Sequence, residues 1–294
     1  MKNTEFSHVT GQSFDTISPS ARALLLLKGH TDIPFVREAA ALISKPEVYE
    51  PDFSKRDFNF WGRVLHFEMR YKSLNELMTG LDITNFLELS SGFSFRGLNA
   101  ALHNAIYYID TDLEELIATK KELISQLRAD LPALKGTLDV RPLNALNEQQ
   151  FNETAKTLPT GELIIVNEGL LMYLDMEEKK RLCSTIRNVL KERGGYWVTA
   201  DAYVKTDDTM KRFETNDKLQ RFFEEHKIEE NKFDDFEAAE AFFKEQGFVI
   251  DKEASQDYPS MSSFKYFMES LSKEHMEMMG KGRKMQASWR LKLA

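Results

Sequence analysis

The sequence of 294 residues contains one cysteine, Cys183, and no long apolar run. A single cysteine excludes an internal disulfide and is typical of a reducing compartment. The longest apolar run, ARALLLL at residues 21–27, is far shorter than the ~20 residues that span a bilayer. It also lacks the basic flank and the small-residue cleavage site of a signal peptide. We therefore expect a cytoplasmic protein without a membrane partner.

Metal-ligand patterns and a basic surface are also missing. The six histidines are isolated, with no H-x-x-x-H pair and no cysteine partner, so the sequence predicts no metal site. The 39 basic and 47 acidic residues give a net charge of -8, which disfavours nucleic acid as a partner. Cys183 lies in KKRLCSTIRNVL, where apolar residues recur at helical spacing. This pattern predicts a buried structural thiol rather than a nucleophile.

What the sequence does contain is the pattern of a folded α/β protein. Hydrophobic residues make up 42% of the chain and charged residues 29%, which is typical of a globular protein. The first 80 residues have a helical pattern that begins at Ser18 and Pro19 and closes on Gly80. From residue 83, strand and helix patterns alternate five times, which predicts a parallel sheet covered by helices on both faces.

The end of the chain changes this pattern. KMQASWRLKLA alternates apolar and polar residues, which predicts an antiparallel strand at the end of the sheet. We predict one structural domain with an N-terminal helical cap at residues 1–80 and an α/β core at residues 81–294. Insertions near residues 203–236 and 256–282 are predicted lids over the core.

The stretch NFLELSSGFSFRGL has the outline of a nucleotide-binding turn, because a strand is followed by a loop of small residues and then by a helix. A dinucleotide requires several glycines there, since backbone N–H groups must approach its pyrophosphate closely. This loop offers Ser90, Ser91, Gly92 and Ser94. It favours a cofactor without phosphates, with Ser94 as the N-cap of the next helix. A plain strand-to-helix turn is the alternative.

Acidic residues follow or end the predicted strands. Asp110 and Asp112 close a strand about 20 residues after Glu88, a separation at which an acid binds ribose hydroxyls. The alternative is that both cap the next helix. Asp139 is predicted at the end of the third strand, where it would meet the amine of adenine. Glu168 follows four apolar residues, and a charge at such a place needs a partner or a role.

Four stretches resemble the leucine carboxyl methyltransferase family, which includes the tetracenomycin-type polyketide O-methyltransferases. They are NFLELSSGFSFRGL, YYIDTDLEELIATK, LDVRPLNAL and VNEGLLMYLDMEEKKRLC. The resemblance covers residues 15–200 and is strongest at residues 85–175. The family motif E-G-[VL]-L-x-Y-L is matched at residues 168–174. Asp112 and Lys120 keep an acid-to-lysine spacing, Asp139 and Arg141 keep a D-x-R turn, and Arg96 keeps the loop arginine.

The chain departs from the family pattern at three places. Ser90 replaces a glycine, Ser94 replaces an acid, and Glu114 replaces a proline.

The resemblance implies a Rossmann-like class I methyltransferase sheet, mostly parallel with an antiparallel last strand, and S-adenosyl-L-methionine as cofactor. It places Ser90, Ser91 and Gly92 beside the methionyl moiety and Asp112, with Asp110 near it, at the ribose. The remaining implied contacts are Asp139 and Val140 at adenine, Glu168 at the methionyl amine, and Arg22 and Arg70 at the carboxylate. For the two arginines, the alternative is an ordinary place on a helix surface.

The sequence thus predicts an S-adenosylmethionine-dependent O-methyltransferase with a small-molecule or carboxylate acceptor. A carboxylate acceptor needs no general base at neutral pH, whereas a phenol does, and no residue stands out as that base. One alternative is an NAD(P)-dependent oxidoreductase, which the missing glycines and the lack of a Y-x-x-x-K pair disfavour. The other is a non-catalytic, cofactor-binding regulatory protein.

Overall fold

The computed structural model describes residues 18–44, 57–205, 224–255, 257–279 and 284–294. Three helices precede the sheet: α1 (Ser18–Lys28), α2 (Val36–Ile43) and α3 (Phe58–Met78). Asp57 caps α3, because its side chain accepts a hydrogen bond of 2.8 Å from the N–H of Phe60. The predicted end of this helix is close to the observed one, since Gly80 follows two residues later with a φ of 81°. No described helix is long and apolar enough to cross a membrane.

Seven strands form one sheet in the order β3-β2-β1-β4-β5-β7-β6. Neighbours among β1 to β5 pair in parallel, and β7 pairs antiparallel with both β5 and β6. Their bounds are β1 Asn85–Leu89, β2 Tyr107–Asp112, β3 Thr137–Pro142, β4 Leu163–Asn167, β5 Gly195–Tyr203, β6 Phe248–Glu253 and β7 Gln286–Leu293.

The last strand lies inside the sheet. We expected an antiparallel strand at the end of the sheet, and the direction is right but the position is wrong. Both edges of β7 are hydrogen bonded, one to β5 and one to β6, so that β6 becomes the outer strand. The inner position explains why Ala287, Trp289 and Leu291 are fully buried.

Helices cover both faces of the sheet. On one face, a core that includes Phe151, Ile186, Trp197 and Phe243 lies under the helices that follow β3, β4 and β5. Cys183 is fully buried in this core, and burial raises the pKa of its thiol to about 12, so the prediction of a structural thiol is confirmed. The remaining helices are α4 (Arg96–His103), α5 (Glu114–Leu127), α6 (Glu148–Lys156), α7 (Met176–Arg193), α8 (Phe236–Glu245), α9 (Phe264–Glu269) and α10 (Lys273–Met279).

The N-terminal helices reach the other face of the sheet and its carboxyl edge. Residues of α1 and α2, such as Leu25 and Val36, share a core with Phe95 at the start of α4 and Ile117 of α5. An ideal Cβ on Gly92 would lie 4.0 Å from the Cβ of Ala21. Helix α1 therefore lies directly over the loop that follows β1.

Candidate functional site

The loop at residues 90–95 joins β1 to α4 in a tightly held conformation. Ser90 and Gly92 both have left-handed backbone angles, with φ values of 48° and 50°. The N–H of Ser91 donates to the carbonyl of Thr111 at 2.8 Å, and the N–H of Gly92 donates to a carboxylate oxygen of Asp112 at 2.8 Å. The loop is thereby fastened to the end of β2.

Two of the serines use their hydroxyls within the protein. The Oγ of Ser91 accepts a hydrogen bond of 2.7 Å from Lys120 Nζ. The Oγ of Ser94 accepts a bond of 3.3 Å from the N–H of Arg96. The N-cap position belongs to Phe95, so Ser94 lies one residue before its predicted place but still binds an N–H of the first turn.

Asp110 lies beneath this loop and pairs with a lysine. Asp110 and Lys120 are both fully buried, and Lys120 Nζ lies 2.9 Å from Asp110 Oδ2. Burial raises the pKa of Asp110 to about 6, although the charge of Lys120 opposes this shift. The sequence keeps the family spacing between Asp112 and Lys120. In the structure, however, Lys120 forms its ion pair with Asp110.

Asp112 ends β2 at the carboxyl edge, where we expected it, and is half-buried. One carboxylate oxygen accepts the N–H of Gly92 and the other accepts the N–H of Leu113 at 2.7 Å. Burial raises the pKa of Asp112, and these two hydrogen bonds work in the opposite direction. The acid therefore holds the loop in place.

Asp139 does not end its strand, and this prediction was wrong. It is the third residue of β3 and pairs in register with Ile109. Strand β3 continues beyond it to Pro142, which pairs with Asp112 at the end of β2. Its carboxylate forms an ion pair with Arg141, and its side chain is 38% exposed. The adjacent Val140 is buried in the core between the sheet and α5.

Glu168 directly follows β4, as predicted, and is surrounded by cations. Its Oε1 lies 2.6 Å from Lys28 Nζ, and its Oε2 lies 3.1 Å from Arg96 Nη2. Arg70 Nη2 is 3.9 Å away. Burial alone would raise the pKa of Glu168, but the three positive charges outweigh it and lower this pKa to about 2. Glu168 is thus an ionised acid held by residues of α1, α3 and α4.

Arg70 has hydrogen-bonding capacity that the described residues do not use. It is 2% exposed, and its Nη2 lies 3.7 Å from Asp201 Oδ1. Among the described residues, neither its Nε nor its Nη2 has a hydrogen-bond acceptor. Asp201 is occupied by the N–H groups of Gly169, Leu170 and Leu171 at 2.7, 2.7 and 3.1 Å. A buried donor without an acceptor is costly, so this arginine fits an anionic ligand group.

Gly169 makes room for Arg70. Its φ is +83°, and a Cβ at this position would lie 2.9 Å from Arg70 Nη2. Both the backbone conformation and the close approach therefore require glycine in the E-G-L-L sequence.

The two predicted N-terminal arginines have different surroundings. Arg70 lies beside Glu168, whereas Arg22 is exposed on α1. The cation that α1 brings to Glu168 is Lys28, which sequence reasoning missed. The sequence did contain a signal for a buried lysine, because Lys28 directly follows the apolar run of α1. A lysine at that position is expected to be buried together with the apolar residues before it.

Of three comparisons with known proteins, the search of solved structures finds matches. A scan against models of protein families finds no match, and a search of curated proteins finds none either. Among solved structures, a DUF574 family protein from Streptomyces avermitilis is similar over 94% of this chain and 97% of its own, at 14% identity and a TM-score of 0.50.

Two further structures are more distant. Magnesium protoporphyrin IX methyltransferase from Synechocystis, with bound SAH, matches 89% of this chain and 96% of its own at 9% identity and a TM-score of 0.47. LepI in complex with SAM matches 76% of this chain at 11% identity and a TM-score of 0.43. The chain spans only 46% of the length of LepI.

The sheet order and strand directions define the class of fold. A seven-stranded sheet in this order that is parallel except for β7, the last strand along the chain, is the Rossmann-like architecture of class I methyltransferases. The predicted fold class is therefore confirmed. Because no family model matches, membership of the leucine carboxyl methyltransferase family stays a prediction.

Proposed function

We propose that this chain is an S-adenosyl-L-methionine-dependent O-methyltransferase acting on a small-molecule or carboxylate acceptor. The observation that carries the proposal is the pairing of Arg70 and Glu168 at the carboxyl edge of the sheet. Two buried nitrogens of Arg70, Nε and Nη2, have no hydrogen-bond acceptor in the part of the chain that the structure describes, and Glu168 beside them is ionised. A cation and an anion side by side complement the carboxylate and the ammonium group of an amino acid, which is one end of this cofactor.

The remaining contacts of the cofactor follow the carboxyl edge from β4 to β3. Lys28 joins Arg70 near the carboxylate, in the place that the resemblance gave to Arg22. Ser90, Ser91 and Gly92 border the methionyl chain, and Asp112 faces the ribose. Adenine then lies toward β3, near Asp139 and Val140.

The chemistry asks little of the protein side chains. The cofactor supplies a methyl group on a sulfonium, and holding the acceptor oxygen in line with it can provide ~7–11 kcal/mol of the barrier. We assign this positioning to the cap of residues 1–80 and to lids near residues 203–236 and 256–282. Part of the cap, residues 1–17 and 45–56, and part of the lids, residues 206–223, 256 and 280–282, lie outside the described residues.

The loop after β1 argues against a nicotinamide dinucleotide. A pyrophosphate binds to backbone N–H groups that are free to point at it. Here the N–H groups of Ser91, Gly92 and Ser94 already donate to Thr111, Asp112 and Ser91, at 2.8, 2.8 and 2.9 Å. A dinucleotide would have to displace these contacts.

Isothermal titration with S-adenosylhomocysteine and with NAD tests the proposal. We expect saturable binding of S-adenosylhomocysteine and no binding of NAD. Glu168→Gln should weaken S-adenosylhomocysteine at least about tenfold, since it removes a charge-assisted contact. Glu122→Gln on the exposed face of α5 is the matched control and should change nothing.

Three outcomes decide among the candidate functions. Binding of NAD alone would support the oxidoreductase, and binding of neither ligand would contradict any cofactor role. Tight S-adenosylhomocysteine binding without methyl transfer from radiolabelled cofactor to carboxylic acids or phenols would support the non-catalytic alternative.

A further inference from the structure

Lys28 pairs with the acid that the proposed function gives to the ammonium group of the cofactor. Its Nζ donates to Glu168 Oε1 at 2.6 Å, across 140 positions of the chain. The ion pair is enclosed, since the two side chains are 9% and 6% exposed. Among the described residues, Glu168 is the only acid that pairs with Lys28. One oxygen of this carboxylate is therefore already bound by a cation from the N-terminal cap.

Two cations hydrogen bond to Glu168, and they differ in how firmly they are held. Arg96 Nη1 donates to the carbonyl of Tyr71 at 3.0 Å and also binds the side chain of Asn75, while its Cζ lies 4.0 Å from the centre of the Tyr71 ring. The ammonium of Lys28 has no hydrogen-bond partner other than Glu168 in the described part of the chain. A lysine ammonium is also a compact charge on a flexible stem. Of the two cations, Lys28 can leave Glu168 at the lower cost.

An incoming ammonium group meets three positive charges at Glu168. Lys28, Arg96 and Arg70 lie 2.6, 3.1 and 3.9 Å from its oxygens, and like charges at such separations repel strongly in a buried place. Burial lowers the pKa of Lys28, whereas Glu168 opposes this shift. The charge of Lys28 therefore depends on an anion beside it, and Lys28 needs a new anion once Glu168 binds another cation.

We propose that Lys28 is an exchangeable ion-pair partner that selects for the complete amino-acid end of the cofactor. This inference rests on the proposed function. The ammonium group of the ligand replaces Lys28 on Glu168, and Lys28 turns to the ligand carboxylate beside Arg70. No covalent bond changes, and each charge exchanges one partner for another. A ligand with only one of the two groups leaves a buried charge unpaired, which is costly.

The backbone at Lys28 is fixed, so the exchange is a movement of the side chain. Lys28 is the last residue of α1, and its carbonyl accepts the N–H and the hydroxyl of Thr31 at 2.9 and 2.6 Å. Helix α1 itself packs over the loop after β1, where Ala21 approaches Gly92. The cap therefore keeps its place over the loop while the ammonium of Lys28 changes its partner.

Three ligands that share one nucleoside separate the two charged groups. S-Adenosylhomocysteine carries the ammonium group and the carboxylate, its decarboxylated analogue carries only the ammonium group, and 5′-methylthioadenosine carries neither. Isothermal titration measures their affinities for the wild type and for Lys28→Met. We expect Lys28→Met to bind the decarboxylated analogue about tenfold more tightly, because no lysine then has to leave Glu168 without a new anion. The affinity for 5′-methylthioadenosine should stay the same.

The affinity for S-adenosylhomocysteine should change much less than that for the analogue. In Lys28→Met its ammonium group gains an uncontested Glu168 while its carboxylate loses Lys28, so the two effects oppose each other. We expect an affinity within about threefold of wild type. A lysine that only binds the carboxylate gives the opposite pattern, with S-adenosylhomocysteine weakened about tenfold and the analogue unchanged. That pattern would overturn the inference, as would an unchanged affinity for all three ligands.

Two further variants control for charge and for folding. Lys72→Met removes another cation of the cap, whose Nζ lies 2.8 Å from Asp32 and 2.9 Å from Glu68, and should leave the ratios of the three affinities unchanged. Lys28→Gln loses the charge but keeps a hydrogen-bond donor, and should change the ratios in the same direction as Lys28→Met. Loss of 5′-methylthioadenosine binding in both Lys28 variants would show that Lys28 only supports the fold, which contradicts the inference.

The wild-type protein separates this inference from the proposed function. Failure of the wild-type chain to bind S-adenosylhomocysteine would overturn the proposed function itself. Binding with the same preference for S-adenosylhomocysteine over its decarboxylated analogue in the wild type and in Lys28→Met would overturn only the exchange at Lys28.

Discussion

Neutralising Glu168 should destabilise the folded chain strongly. This acid is 6% exposed and lies 2.6 Å from Lys28, 3.1 Å from Arg96 and 3.9 Å from Arg70. Glu168→Gln keeps the shape of the side chain but leaves three buried cations with one anion fewer. Removal of one partner from a buried ionic cluster costs about 3–5 kcal/mol.

The pKa of Glu168 gives a similar magnitude. It falls from its ordinary value of 4.5 to about 2 on folding, and a difference of one in pKa corresponds to about 1.4 kcal/mol. The ionised acid therefore contributes about 3 kcal/mol to the free energy of unfolding at pH 7. The two estimates agree, so we expect Glu168→Gln to lower this free energy by about 3–5 kcal/mol.

The pH dependence has a definite sign. Because the pKa of Glu168 is lower in the folded chain than in the unfolded chain, its contribution is fully present above about pH 4.5 and is lost as the pH falls toward about 2. The difference between wild type and Glu168→Gln should stay constant from about pH 5.5 to 8 and shrink below about pH 4.5.

Urea denaturation followed by tryptophan fluorescence measures this difference. Both midpoint and slope are needed, since the slope reports the surface exposed on unfolding. Lys28→Met should cost less in the Glu168→Gln background than alone, because the two residues form one ion pair. A loss below about 1 kcal/mol at pH 7, or an equal loss at pH 3 and pH 7, would refute this account.

Three further perturbations test other parts of the structure. Lys120→Met strands the buried Asp110 and should lower the free energy of unfolding by about 3 kcal/mol at pH 7, with partial recovery in the double variant with Asp110→Asn. Ser90→Gly should stabilise the chain by about 1 kcal/mol in urea, since it relieves a left-handed φ of 48°, whereas Ser91→Gly should destabilise it by removing the acceptor of Lys120. Cys183 should react with a thiol reagent at pH 8 only in urea, because the thiol is buried and its pKa is raised to about 12.

Local patterns were sufficient to predict the kind of fold. The switch from helical spacing to alternating strands and helices predicted the parallel sheet, and the period of two predicted an antiparallel strand at the end of the chain. They could not show that β7 inserts between β5 and β6. The period of a strand reports which of its faces is buried, whereas its neighbours are set by contacts between distant segments.

The same distinction separates the correct and incorrect predictions of the site. Glu168 was placed correctly because it directly follows a short buried strand, and that position is a local property. Asp139 was misplaced because the length of β3 is set by its pairing with β2. The contacts of Lys28 with Glu168 and of His66 with Tyr203 join residues 140 and 137 positions apart, a separation that no spacing rule covers.

The contacts of the loop after β1 revise the explanation of its shortage of glycine. Its serines do not by themselves exclude a pyrophosphate, because the N–H groups of Ser91 and Gly92 are taken up by Thr111 and Asp112, neither of which depends on the side chain of Ser90. Replacing Ser90 with glycine would relieve backbone strain of about 1 kcal/mol and leave those N–H groups turned toward β2. Asp112 takes part in this, because its carboxylate accepts the N–H of Gly92. The same carboxylate suits a ribose, whose hydroxyls donate hydrogen bonds. The loop therefore disfavours a dinucleotide because its N–H groups already have acceptors, more directly than because it lacks glycines.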